Sequence, residues 1–468
     1  MKENRTKNII LSCMIILVIA CFCVGVLIVT GVGVSLIWPF QFGQGSGSQP
    51  PPLETVSPPL PLGGETLDLD EALPEDLAEL LSLIEDQVVD LRGIKPESAV
   101  THTLISPAEL QKIVMEDFFA EYSDEEAQKD VKILSALGLL PEDFDLRSFY
   151  MDLYSEQIAG FYDDESKEIF VVRGAEFGAL EKVTYAHEFT HVLQDQAYGL
   201  RDGLGLSDES CEADSERCAA VQALIEGDAT KTELLWFQTY ASRQDYLDLM
   251  KSFDLFESPI YDSAPPFMQA DLYFPYEKGL AFVEHLFEQG GYDAVDAAYQ
   301  NPPVSTEQIL HPEKYPSDVP IAVTLPDLSD TLGDDWYLFD QNVMGEWYTF
   351  LILNKAHEKS FQISESVAEK AAQGWGGDAY AFYLNDDDHS VVFVMDSVWD
   401  TQDDAEEFAD AFTNYADARW QGADDSISGY PTWTGGSLQI VLVQDGSRTL
   451  WVMGPTEQVV YSLLNELQ

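Results

Sequence analysis

His187-Glu188-Phe189-Thr190-His191 is the stretch on which the reading of this chain turns. It sits inside a run from about Ala179 to Tyr198 that reads as one long helix, closed by Gly199. Histidines at i and i+4 share one face of a helix, so both imidazoles can reach a single ion. Neutral imidazole is a good zinc ligand, and Glu188 between the two is placed to polarise a metal-bound water. The chain has seven histidines in 468 residues, so two of them at this spacing around a glutamate is a specific signal.

A catalytic zinc needs a third protein ligand and keeps a fourth position open. The next helix, expected from about Glu216 to Tyr240, carries Leu224-Ile225-Glu226-Gly227-Asp228-Ala229-Thr230. Glu226 is preferred as that ligand, because two histidines and a glutamate form a known catalytic set. Asp228 is the rival and points roughly 200° away around the helix. Ala219, Ala223 and Thr230 share the Glu226 face, which would let this helix approach the first one closely. Gly227 costs about 1 kcal/mol relative to alanine inside a helix, which points to close packing.

The motif His187–His191, followed by a helix bearing Glu226, resembles the gluzincin group of zinc metallopeptidases. Gly160-Phe161-Tyr162-Asp163 and the run His187 to Gln196 are similar to bacterial envelope proteins within that group. The likeness extends from about Ser155 to Tyr315. It implies a zincin-like, mainly helical catalytic domain with a small twisted sheet, one Zn2+ ion, Glu188 as general base and a polypeptide substrate. The hairpin at 160–173 would supply the sheet edge along which that peptide lies. The better-known members carry an aspartate four residues after the ligand glutamate, where it orients a ligand histidine; here Thr230 stands there. Asp195, one turn beyond His191, or Asp228 is expected to take over that role. The resemblance also implies a tyrosine or histidine that donates to the developing oxyanion. His311, in Leu310-His311-Pro312-Glu313-Lys314-Tyr315, is the first candidate and Tyr276 the second. The alternative to an enzyme is an envelope binding or sensory protein that holds zinc without turnover.

The flanks set the context. From Ile9 to Trp38 there is no charged residue, and Lys2, Arg5 and Lys7 precede this run. About 20 apolar residues suffice to span a bilayer, so residues 1–40 read as a cytoplasmic tail and transmembrane helix, with the remainder outside the cell. A lipoprotein site at Cys21 is the alternative. Residues 41–67 are rich in Pro, Gly and Ser and read as a tether. Cys211 and Cys218 are the only cysteines beyond the apolar run, and in an exported protein they are expected to form a disulfide. The net charge of −59 argues against a nucleic-acid partner, because phosphates would be repelled.

The fold class is expected to be α+β. Residues 68–375 form the catalytic domain, mainly helical from 70 to 160 and with further helices at 276–300 and 338–372. Residues 376–468 form a small α+β lobe of order β-β-α-β-β-α.

Overall fold

The computed structural model describes residues 74–113, 122–157, 160–172, 177–255, 258–420 and 425–468. The expected membrane anchor and tether lie outside these residues. Among the described residues no helix is long and apolar enough to cross a membrane. The chain is a mixed α and β protein, built from helices and two sheets.

In chain order the elements that matter for the site begin with α1 (Glu75–Arg92), β1 (Thr101–Ile105) and α2 (Asp124–Ala136). The hairpin follows as β2 (Gly160–Asp163) and β3 (Glu168–Val172). Then come α3 (Ala179–Tyr198), α4 (Ser215–Tyr240), α5 (Pro266–Gly290) and α6 (Thr306–Leu310). Shorter helices connect them.

The small sheet has the order β1-β3-β2, with β1 parallel and β2 antiparallel to β3, so among the described residues β2 is an edge strand. β1 falls inside the stretch expected to be mainly helical. Thr101-His102-Thr103-Leu104-Ile105 is rich in β-branched residues, but five residues make a strand only when a partner is present, and the partner lies far along the chain. Later in the same stretch Pro107–Ile113 is helical, and residues 114–121 are outside the described set.

The large sheet is antiparallel, with order β4-β5-β6-β10-β9-β8-β7. Its strands are β4 (Trp336–Asn342), β5 (Trp375–Asn385), β6 (Val391–Trp399), β7 (Asp425–Ile427), β8 (Tyr430–Gly435), β9 (Leu438–Asp445) and β10 (Arg448–Gly454). The helix expected over 338–372 is corrected here: β4 occupies its start, and two shorter helices, α7 (Gly345–Asn354) and α8 (Glu365–Ala372), follow. β4 gains its ladder from β5, with a bulge between Leu338 and Asp340, so tertiary pairing overrides the local helical reading. The sheet therefore takes an edge strand from well before residue 376.

Val391-Val392-Phe393-Val394-Met395 is buried throughout, because both faces of this sheet are covered. Phe393 and Met395 face the core that continues into the helical part and includes Phe408, Phe412 and Tyr415 of α9 (Gln402–Trp420). Val392 and Val394 face a separate core closed by Val460, Leu463, Leu464 and Leu467 of α10 (Glu457–Leu467). The first of these cores runs without interruption from Ile105 to Met453, so helical part and sheet share it.

α4 and α5 approach each other closely. A Cβ on Gly227 would fall 2.2 Å from the Gly279 carbonyl, and a Cβ on Gly279 would fall 2.0 Å from the Ala223 oxygen. Gly227, expected to serve close packing, is therefore where α4 meets α5. Gly227→Ala is expected to cost about 1–3 kcal/mol or more through this backbone clash. At an unconstrained helical position the same change gains roughly 1 kcal/mol. A melting temperature at or above the parent's would show that α4 and α5 can separate freely.

Buried acids add a pH dependence. Tyr122 donates to Asp130 at 2.7 Å and Tyr380 to Asp340 at 2.8 Å. Burial pushes the Asp130 carboxyl up to about 8 and the Asp340 carboxyl up to about 6. Both bind a proton more tightly folded than unfolded. Their stabilisation is thus complete below the ordinary carboxylate range and is lost as the pH rises through these values. Melting temperature should fall from about pH 5 to about pH 9, and Asp130→Asn should flatten the upper part of that fall. An unchanged slope in the variant would assign the effect to other groups.

Candidate metal centre

α3 and α4 carry the site, and each is buried on almost every side through its middle. A helix in that setting can place polar groups inward only if they find partners. His187, His191 and Glu226 find one another. His187 Nε2 lies 3.0 Å from His191 Nε2, and Glu226 Oε2 lies 3.2 Å and 3.4 Å from the two nitrogens. Three ligands at about 2.05 Å from a tetrahedral zinc stand about 3.3 Å apart, so this triangle has the dimensions of one face of such a site.

The outer nitrogens settle the chemistry of that triangle. His191 Nδ1 lies 2.8 Å from Gln194 Oε1, and His187 Nδ1 lies 3.1 Å from Glu233 Oε2. Both partners are acceptors, so in the neutral rings the Nδ1 atoms would carry the proton and the Nε2 atoms would present lone pairs. In that state two lone pairs and a carboxylate oxygen would converge on one point, and the three residues could hold a metal ion. The residues fit a zinc ion. Burial pushes the Glu226 carboxyl up, but His191 and His187 outweigh burial and hold it at about 2. Burial also opposes charge on His191, and Glu226 more than compensates, raising it.

Glu188 lies beside the triangle. Its Oε2 accepts the Tyr162 backbone N–H at 2.9 Å. Burial raises its carboxyl, against the lowering effects of His191 and His187. Since Tyr162 is in β2, this hydrogen bond ties the edge strand of the small sheet to the motif helix.

The other residues expected at the site separate into three groups. Asp195 does not orient a ligand histidine: it accepts from Tyr162 Oη at 2.7 Å, Lys167 Nζ at 2.6 Å and the Leu200 N–H at 3.1 Å. It staples the end of α3 to the hairpin, because Tyr162 of β2 and Lys167 of the hairpin turn both reach it. Asp228 is fully buried but one step removed from the metal ligands, accepting from Arg92, Gln194 and Tyr299. Of the two oxyanion candidates, Tyr276 is at the site, its ring stacked 6.2 Å from that of His187. His311 is not: its Nε2 lies 2.9 Å from Glu346 Oε1. Its helix α6 is held through Thr306 to Glu216, ten residues, or about 15 Å, before Glu226 on α4. Cys211 and Cys218 are bonded, joining the short helix Asp208–Ala213 to the start of α4.

Two functional partners were missed in the sequence. Glu233 is two turns beyond Glu226 and so returns to the same helix face, a spacing that could have revealed it. Gln194 is three residues past His191 and left no comparable signal, since an amide is as often solvent-facing.

A family model described as a domain of unknown function (DUF8575) matches residues 337–464. That span covers most of the large sheet and its helices and none of the residues of the metal centre. No curated protein and no solved structure matches the chain.

The geometry orders the acids by their effect on metal affinity. Glu226→Ala should lose more zinc affinity than any other acidic substitution. Glu233→Ala should weaken zinc by ten- to a hundredfold, the usual effect of losing a partner that orients a ligand. Asp195→Ala should leave affinity near the parent value. Competition titration against a chelator measures all three, and equal losses for Glu233 and Asp195 would contradict the arrangement.

Proposed function

We propose that this chain is a zinc-dependent metallopeptidase of zincin-like design that hydrolyses peptide bonds outside the cell, anchored by the charge-free segment Ile9–Trp38. The observation that supports it best is the convergence of two imidazole nitrogens and a carboxylate oxygen beside a buried glutamate that is not itself a ligand. A purely structural zinc has no use for Glu188.

His187, His191 and Glu226 would hold the ion, which when bound supplies a Lewis acid that lowers the pKa of a water and polarises a carbonyl. Glu188 performs the proton transfer. Its Oε2 is engaged by the Tyr162 N–H, which leaves Oε1 to receive a proton from the attacking water and pass it to the leaving amine. Burial raises this carboxyl, which makes it a stronger base toward the proton of the water.

The Tyr162 N–H points away from β3 and toward Glu188, so the edge of β2 borders the metal centre. An extended peptide can add to such an edge as a further strand, its main chain held by hydrogen bonds while side chains alternate in direction. A peptide bound in this way would pass directly beside Glu188. Tyr276, stacked against His187 from α5, is the residue best placed to donate to the developing oxyanion.

The test is turnover of an unfolded protein by the purified chain, with and without chelator. Glu188→Gln should keep zinc and lower turnover by about 10²- to 10⁴-fold. Full zinc content with no hydrolysis of any peptide by the parent would favour the binding or sensory reading instead.

A further inference from the structure

Arg92 plays no part in the chemistry described above, yet it is one of the most deeply buried large side chains of the protein. It is the last residue of α1. Leu81, Ile84, Val88 and Arg92 form the buried stripe of that helix, at the i, i+3, i+7, i+11 spacing of one face. Polar contacts outside the stripe also fasten α1: Tyr185 of α3 donates to Glu85 at 2.6 Å, and Trp236 and Tyr240 of α4 donate to Gln87 at 2.9 Å and Asp90 at 3.1 Å. α1 therefore lies across both metal-bearing helices, and its docking delivers a guanidinium to the interior.

That guanidinium meets Asp228. Arg92 Nε lies 2.8 Å and 3.1 Å from the two carboxylate oxygens. Asp228 is fully buried, so without a cation its charge would be strongly unfavourable. Its Oδ2 also accepts from Gln194 Nε2 at 3.0 Å, and the same Gln194 nitrogen donates to the Ile225 carbonyl at 3.0 Å. With both amide hydrogens engaged on this side, Gln194 Oε1 must face the other way, toward His191 Nδ1 at 2.8 Å.

The two orientations of that amide have opposite consequences. As held, Oε1 accepts the Nδ1 proton and leaves the lone pair on Nε2, the atom that faces Glu226 and His187. Turned over, the amide would present N–H groups to Nδ1, which would favour the tautomer with its proton on Nε2 and block the metal position. The choice rests on two acceptors, the Ile225 carbonyl and Asp228 Oδ2, and Arg92 holds the second of them in place.

We propose that Arg92 is a positioning residue for the metal centre: docking of α1 seats Arg92 on Asp228, which through Gln194 holds His191 in the tautomer that can take a metal ion. The inference rests on the metal-centre reading given above. It makes zinc affinity depend on a helix that contributes no ligand and stands directly after the segment expected to be the tether.

The experiment is a double-mutant cycle on the full-length chain in detergent, with zinc affinity read by chelator competition and folding read by thermal melting. Arg92→Met and Gln194→Met should each weaken zinc by about ten- to a hundredfold. The double variant should bind no more weakly than Gln194→Met alone, because the relay is already cut, while its melting temperature still falls with the loss of Arg92. Independent losses that multiply, or an unaltered affinity in Arg92→Met, would overturn the proposal. Should Arg92→Met fail to fold, Asp228→Asn takes its place in the same cycle, with the same two outcomes. Affinity is measured without turnover, so failure of the peptidase proposal alone leaves this result standing. A parent chain that takes up no zinc overturns both.

Discussion

Glu226 reaches the two histidines because the residue after it has no side chain. α4 is held between α3 on one side and α5 on the other, and Glu226 and Gly227 point to these two neighbours in turn. A Cβ at position 227 would meet the backbone of α5, and one at 279 would meet the backbone of α4. Any side chain there would push α4 and α5 apart. A triangle of ligand atoms with edges near 3.2 Å tolerates little change in helix position. The geometry of the triangle is thus set by a packing constraint on another face of the helix that carries Glu226.

The acids around the centre show how placement decides the role of identical side chains. Glu188, Glu226, Glu233, Asp195 and Asp228 all lie on α3 or α4 and all are buried. Glu226 faces both imidazoles and is held low, whereas Glu188 faces the edge strand and is raised by burial. Glu233 faces the outer nitrogen of His187, and Asp228 faces a guanidinium brought by α1. Each acid has found a donor or a cation, as a buried carboxylate must.

The large sheet contributes to the same body by sharing its core. Aromatic residues of β5, β6 and β10 pack with α9 in a cluster that continues into α4 and α5, the helices of the site. A sheet covered on both faces reads as unbroken hydrophobic strands, and Val391 to Met395 is such a run. β4 does not read that way: it is an edge strand whose Asp340, Gln341 and Asn342 carry no strand signal of their own, and β5 supplies the pairing.

What the sequence by itself determined is what depends on short-range periodicity. The bounds of α3 follow from its apolar spacing and its closing glycine, and the hairpin follows from two β-rich runs around a polar turn. The pairing of His187 with His191 follows from four residues being about one helical turn. The cysteine pair was equally legible, since no other cysteine lies near it in the chain. Only the tertiary structure decided which of several acids meets each histidine, because that depends on the rotation and separation of two helices and not on spacing within either one. It also decided that Tyr276 and not His311 stands at the centre, since His311 is committed to Glu346 on an element far along the chain. Arg92 was invisible for the same reason. A lone arginine at a helix end looks like a solvated cap, and only the packing of α1 across α3 and α4 turns it inward to a buried carboxylate.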